Sequence, residues 1–472
     1  MLGTDRGSTY NHTLKIAILD PESDPEGWSF SQYRTLLEHH LSLAPLLRRR
    51  YLRTPLGLHR PIWVDDPDFS LDAHLHRVAC PAPGGMAEFC TLVEQIYSHP
   101  LDHARPLWQI WVVEGLEGGR VAVVALLHHA YSDGAGVRGI LEGVTSTTPI
   151  DARAIAPPEW SPGPLPSPLR QVVWAVRDLP PLVRAVPPAL RAVRDRRRLE
   201  QRFAEERGGG MPSLADRRQP QPFAGALARA RRFACESFSL EEMREVRAAL
   251  GSTVNDVFLS CVAGSVREFL AGRGSPPVAP VVGTMPFLTK PLSERPAQGG
   301  NFSSGDDVWL HVEIADPVER LRATSASARV TKDHFKAVAA ADPLLVLADL
   351  MPGWLMSAIL RFDERTEGRF TPAYNIVMSN VAGPAKTLYV DRWRVGSWFS
   401  TGQLIPGITV NFTGWSYAEQ FNLCVLSGSP TVPDAWELMA GFRKSLDELL
   451  AVARAAAPRD RALTSGGVAC PA

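Results

Sequence analysis

Seven apolar residues, Val121-Ala122-Val123-Val124-Ala125-Leu126-Leu127, run straight into His128-His129-Ala130-Tyr131-Ser132-Asp133-Gly134. A short, β-branched apolar run of this kind predicts a buried strand. Asp133-Gly134 predicts a turn, because Gly134 takes a positive φ without steric cost. A helix can then begin between Gly136 and Val144. The chain must therefore fold so that a rigid strand delivers a histidine pair to a loop, a frequent place for catalytic groups. Successive strand side chains point to opposite faces, so His128 and His129 do not share one cavity if the strand runs through both. One is the chemical group and the other a packed neighbour. Asp133 either braces the loop or touches an imidazole. Histidine suits general-base work because its ordinary pKa of about 6.5 leaves much of it neutral near pH 7. A second pair, His39-His40, lies in a helical pattern from Tyr33 to Leu47 with no acid and glycine after it. It reads as surface or packing.

The chain of 472 residues exceeds one ordinary core, which predicts two domains. Lys plus Arg and Asp plus Glu balance at 50 each, so no charge excess points to nucleic acid. Lysine occurs only six times, so the basic side is nearly all arginine. Arginine keeps its charge when partly buried and binds phosphate bidentately, which is compatible with a phosphorylated cofactor but does not demonstrate one. The six cysteines, Cys80, Cys90, Cys235, Cys261, Cys424 and Cys470, are scattered without a CxxC pair. That argues against a disulfide framework or a cysteine-rich zinc site and fits a reducing cytosol. His74 and His76 would share a strand face, but no third ligand lies near them. No GxSxG elbow occurs, which disfavours a serine hydrolase. Met1 to Tyr10 lacks an apolar signal core. The nearest approach to a membrane span, Pro343 to Leu360, contains Asp349 and Pro352 and reads as a buried or interfacial helix.

Strands are expected at Leu14–Leu19, Ile62–Val64, Leu71–Val78 and Trp108–Glu114, with helices at Ser31–Arg48 and Gly85–Tyr97. This is a mixed α/β pattern. At Ala156 the composition shifts to proline and serine. Arg170, Arg177, Arg184, Arg191 and Arg198 then recur every seven residues, while Pro180-Pro181 and Pro187-Pro188 predict breaks in any long helix. Residues 157–222 form a basic, partly helical crossover. A solvated linker is the simplest reading; the alternative is a surface touching anionic lipid. Residues 1–156 make the first half, 223–456 the second and 457–472 a frayed tail. In the second half, helices are expected at Leu240–Leu250, Val257–Leu270 and Pro433–Ala453. Strands are expected at Val278–Gly283, Asn375–Met378, Ile408–Phe412 and Phe421–Leu426. Ser239 with Glu242 offers a capping box.

Several blocks recur together in one family. They are Pro61-Ile62-Trp63-Val64 with Asp66-Pro67-Asp68-Phe69; Pro100-Leu101-Asp102 leading to Arg105-Pro106-Leu107-Trp108; and the HHxxxDG run from His128 to Gly134. Thr253-Val254-Asn255-Asp256-Val257, Gly300-Asn301, Asp316-Pro317 with Arg320-Leu321, and Ser379-Asn380-Val381-Ala382-Gly383-Pro384 follow in order. In this ordered set the chain resembles the bacterial wax ester synthase/diacylglycerol acyltransferase family, within the coenzyme A-dependent acyltransferases. The resemblance implies two chloramphenicol-acetyltransferase-like α/β halves, each a mixed sheet flanked by helices, with a tunnel between them. It implies His129 at the tunnel's midpoint as general base, with His128 and Gly134 in the same motif and Asp133 as a structural support. Asn255, Asp256, Ser379 and Asn380 are candidates for substrate binding or the oxyanion site. The implied reaction is direct transfer from acyl-CoA, as co-substrate, to a long-chain alcohol or diacylglycerol. No permanently bound cofactor or metal and no nucleic acid are expected. The implied location is cytoplasmic, with peripheral contact to the inner membrane face or lipid droplets. Two departures bear on this. Pro286-Phe287-Leu288-Thr289-Lys290 stands where the family reads Pro-Val-Ser-x-Arg, and the opening residues lack the family's usual start. Another alcohol or an amine acceptor on the same fold, or a catalytically silent lipid-binding homologue, are the alternatives.

Overall fold

A computed structural model describes residues 5, 7–55, 61–131, 144–150, 160–207, 210–213, 216, 222–223, 225–288, 303–338, 358, 362, 376–404 and 407–456. In its first part, β1 (His12–Asp20) is followed by α1 (Phe30–Leu43), β2 (Arg49–Leu52), β3 (Ile62–Asp65), β4 (Leu75–Ala79), α2 (Met86–Tyr97), β5 (Trp108–Glu114) and β6 (Val121–His128). The long crossover helix α3 (Pro168–Arg207) comes next. Then follow β7 (Arg232–Ser239), α4 (Leu240–Leu250), α5 (Val254–Ala271), β8 (Val281–Leu288), β9 (Ser303–Leu310) and α6 (Pro317–Val338). The last elements are β10 (Ile376–Ala382), β11 (Tyr389–Val390), β12 (Trp393–Thr401), β13 (Val410–Tyr417), β14 (Gln420–Ser427) and α7 (Ala435–Ala456).

Two six-stranded mixed sheets carry the molecule, in the orders β11-β12-β1-β6-β5-β4 and β7-β14-β13-β10-β8-β9; β2 and β3 pair separately. The apolar run before the histidines lies centrally in the first sheet, between β1 and β5. Its buried positions include Val121, Val124 and Leu126, which pack with Leu14, Ile16 and Trp393. The second core gathers Phe258, Phe412, Phe421 and Phe442 from α5, β13, β14 and α7. The first sheet is completed by strands from late in the chain: β12 pairs antiparallel with β1 from Leu14 opposite Thr401 to Asp20 opposite Arg394.

Several expectations shift. The helix expected to Arg48 ends at Leu43, and a short 3-10 turn at Pro45–Arg48 leads into β2. The strand expected from Leu71 starts at Leu75, after a 3-10 turn at Leu71–Ala73. Strand β8 lies at Val281–Leu288, displaced from Val278–Gly283. Helix α5 begins earlier than expected because Thr253 and Asp256 form a reciprocal capping box. Strand β9, helix α6 and strand β12 had no counterpart in the sequence reading. The proline pairs do not break α3, which runs continuously from Pro168 to Arg207. The physical reason lies in where the unpaired carbonyls fall. Pro180, Pro181, Pro187 and Pro188 offer no N–H to residues 176, 177, 183 and 184, and all four of those residues are exposed, so water can replace the lost bonds. The helix expected after Gly136 apart from Val144, the segment Pro343–Leu360 apart from Ala358, and residues 457–472 lie outside the described residues.

Candidate active site

Strand β6 ends at His128, which stands directly opposite His12 on β1. The chain turns there, and three main-chain bonds set the turn. His128 N–H donates to the Leu107 carbonyl at 3.0 Å, His129 N–H to the Asn11 carbonyl at 2.7 Å, and Tyr131 N–H to the His128 carbonyl at 3.1 Å. Tyr131 is buried. Its hydroxyl accepts from Leu107 N–H at 2.9 Å and donates to the Arg49 carbonyl at 3.0 Å, while its ring stacks on Trp63 at 4.9 Å. Burial pushes the Tyr131 phenol up, which suits a structural anchor.

The two histidines part company where the strand ends and the chain turns. His128 is fully buried and His129 half-buried. The His128 Nδ1 accepts from Ala130 N–H at 3.0 Å, so the proton sits on Nε2, which donates to Asp5 Oδ2 at 3.0 Å. That carboxylate is a hub. It also accepts from His103 Nε2 at 3.0 Å, from Asn11 N–H at 3.1 Å and from the Asn11 side-chain amide. Burial alone would raise the Asp5 carboxyl; the bonds from His103, His128 and Asn11 outweigh it and hold the group well below the carboxylate range. The His103 Nδ1 in turn meets the Tyr51 hydroxyl. Asp5, Asn11, Tyr51 and His103 were all missed by the sequence reading. The one available signal was a lone acid in an otherwise featureless start, which is too common to use. Asp133 and Gly134 lie outside the described residues.

His12 has burial as its main influence, which pushes its imidazole down to about 3. Its Nε2 accepts from Leu101 N–H at 3.4 Å and its Nδ1 is buried without a partner. On the other face of the first sheet, a cavity of about 130 Å³ opens towards α1, lined chiefly by Tyr33, Leu37, Trp108, Ala125, Leu127 and Lys15. Lys15 donates to Ser400 Oγ at 2.6 Å, and burial brings its amine down to about 8. His40 also lines this space, so the His39-His40 pair packs as expected.

In the second sheet, two candidates meet. Asn380 Nδ2 on β10 donates to Asn255 Oδ1 in the first turn of α5 at 3.3 Å. The Asn255 Nδ2 is buried and has no partner, which leaves an amide donor unspent. Ser379 precedes Asn380 on β10, opposite Thr413 of β13. Asp256 does a different job: its Oδ2 takes both Thr253 N–H at 2.9 Å and Thr253 Oγ–H at 2.7 Å. Its carboxylate caps α5 and, as an acceptor only, supplies nothing to an oxyanion. His74 and His76 do not form a ligand pair. His74 Nδ1 bonds to the Trp108 carbonyl at 2.8 Å and its ring stacks on Trp108, while His76 lies against Trp111. Among the described residues no group of three His, Cys, Asp or Glu could hold a metal.

The catalytic-domain model of the wax ester synthase/diacylglycerol acyltransferase family matches residues 1–258, and the model of its C-terminal domain matches residues 300–450. The chain belongs to this family. It is an acyltransferase. A Mycobacterium tuberculosis (strain H37Rv) protein provisionally named a diacylglycerol O-acyltransferase is 55% identical over 464 residues, covering 98% of each chain. A second protein of that species (strain CDC 1551), with the same provisional name, is 34% identical across 92% of this chain and 85% of its own. Among solved structures, the wax ester synthase/diacylglycerol acyltransferase of Marinobacter aquaeolei VT8 matches with a TM-score of 0.65 at 22% identity, over 96% of this chain and 97% of that one. The first condensation domain of the calcium-dependent antibiotic synthetase matches with a TM-score of 0.57 at 16% identity, over 95% of this chain and 92% of that one. The structural matches establish a shared two-half α/β fold.

Proposed function

We propose that this acyltransferase moves a fatty-acyl group from acyl-CoA to the hydroxyl of a long-chain alcohol or diacylglycerol, with His129 as general base and no acyl-enzyme. The observation that carries this reading is the division of labour in the histidine pair. His128 is spent on Asp5 and Ala130, while His129, half-buried, leaves the strand at the turn. Neutral His129 takes the proton from the acceptor hydroxyl as the oxygen attacks the thioester carbonyl. The carbon–sulfur bond then breaks, and the imidazolium returns the proton to the departing thiolate. The free Nδ2 of Asn255, held in place through Asn380, supports an oxyanion donor role. By the HHxxxDG motif of the family, Asp133 takes a structural role rather than relaying charge. The apolar cavity beside Leu127, two residues before His129, favours an aliphatic acyl chain. The departure at Pro286–Lys290 bears on the choice of acceptor.

The test follows thiol release and ester formation from purified protein given acyl-CoA with hexadecanol or diacylglycerol. His129→Ala is expected to lower both by roughly 10²–10⁴-fold with an unchanged melting temperature. Turnover equal to wild type in that variant overturns the mechanism. Binding of acyl-CoA without turnover by the wild-type chain, with every acceptor offered, assigns it to a silent lipid-binding role instead.

A further inference from the structure

Among the described residues, helix α3 packs by one face. Gln171 and Ala189 are buried, and near the C-terminal end of the helix Arg207 pairs with Asp333 at 2.9 Å and Phe203 meets His334. The opposite face carries Leu169, Val173, Val176, Leu179, Val183, Val186 and Leu190, each between 40% and 74% exposed. Their spacing of four, three, three, four, three and four residues makes one continuous stripe, about 32 Å long at the rise of an α-helix. Leu169, Val176, Val183 and Leu190 are each followed at once by an exposed arginine: Arg170, Arg177, Arg184 and Arg191. From Pro168 to Arg194 the only acid is Asp178, which is half-buried. A row of aliphatics with a parallel row of guanidinium groups, interrupted by the single acid Asp178, complements an apolar layer topped by negative charge.

Two rival occupants fit less well. A seven-residue apolar repeat also suits a coiled coil with a second copy of the chain. Pro180 and Pro187, however, leave the carbonyls of Val176 and Val183 without helical donors in the middle of that stripe, and a dry seam would bury them unpaired. A transmembrane course fails for the same reason and because of the arginines, and no single described helix is long and apolar enough to cross a membrane. A shallow position at headgroup level keeps water on those carbonyls and places the arginines among phosphates.

We propose that the outward stripe of α3, from Leu169 to Leu190 with its arginine row, docks the protein on the surface of an anionic lipid bilayer. The surface lies outside the histidine site, so it is tested independently of the acyl-transfer chemistry. Cosedimentation of the full chain would be measured with vesicles of phosphatidylcholine alone and of phosphatidylcholine mixed with phosphatidylglycerol. Wild type is expected to partition onto the phosphatidylglycerol vesicles and to be released by salt. Val176→Asp/Val183→Asp, at positions that touch solvent, should melt as wild type does and bind at least about ten-fold more weakly. Arg184→Gln/Arg191→Gln should lose about five-fold per arginine on phosphatidylglycerol vesicles and little on phosphatidylcholine. Vesicle binding by Val176→Asp/Val183→Asp equal to wild type overturns the proposal. So does a vesicle-free wild-type dimer, seen by light scattering, that the same variant converts to monomer; that result gives the stripe to a second copy.

Discussion

At the scale of single residues, the histidine pair depends on an acid more than a hundred positions away in sequence. Asp5 collects Nε2–H donors from both His103 and His128 and the amide groups of Asn11, so one carboxylate orders the floor of the turn that presents His129. His12 sits among these groups, its ring 6.4 Å from that of His128. The two titrations act in different pH windows. The Asp5 carboxyl is depressed in the folded chain, so its contribution is complete above about pH 4 and fades as pH falls below that. The His12 imidazole is also depressed, to about 3 from 6.5, by burial. Between those values the unfolded chain binds a proton that the folded chain refuses, so stability falls as pH falls, by about 2 kcal/mol over the first two units. Thermal melts at successive pH values should therefore show a decline between pH 6.5 and 4.5, and His12→Gln should flatten that decline while leaving the loss below pH 4. An unchanged slope in the variant would mean that another group sets the acid response.

At the scale of elements, the short strand–turn blocks are the legible ones, because their turn chemistry and apolar runs are local. Strands β5 and β6 and helix α4 lie where their patterns place them, within a residue or so. Strand β9 was illegible for a tertiary reason. Its Gly305-Asp306-Asp307 core is a poor strand former, yet both acids are buried, Asp306 against His334 Nδ1 at 2.5 Å and Asp307 near Thr284 Oγ1 at 3.4 Å. The Ser379–Pro384 block shows what a motif glycine is for. A Cβ on Gly383 would lie 2.2 Å from the Ser416 carbonyl oxygen and 2.3 Å from the Trp415 indole nitrogen. The backbone beyond β10 therefore closes onto β13 only with glycine there. Gly383→Ala should force the two strands apart and cost about 1–3 kcal/mol, read as a lower denaturation midpoint. If Asn380 is carried away from Asn255 with the strand, acyl-transfer turnover should fall as well. A midpoint equal to wild type would show that this end of the sheet yields freely.

At the scale of the whole molecule, the two sheets are bound by more than a linker. Strand β12 pairs with β1 across nearly the whole sequence, and Tyr417 on β13 donates to the Val395 carbonyl at 2.8 Å. This closure was not legible in the sequence, because no local pattern tells a strand which sheet it completes. A second seam joins α2 to β7. There Glu94 accepts from Phe233 N–H at 2.8 Å and from Arg232 at 3.3 Å, beside the buried contact of Cys90 with Cys235. Burial is the leading influence on the Glu94 carboxyl and raises it, against the opposing pull of Phe233 N–H and Arg232. The seam is therefore held by an acceptor whose charge is costly, and the two properties can be separated. Glu94→Gln keeps an oxygen for Phe233 N–H and removes the buried charge, so it should hold the melting temperature at pH 7 near that of wild type. Glu94→Ala leaves that N–H without its acceptor and should cost about 1–3 kcal/mol. Because β12 and this seam both tie the sheets together, the loss should appear as one cooperative transition at a lower temperature. A separate early transition in Glu94→Ala would show instead that the halves unfold independently and that β12 alone does not couple them.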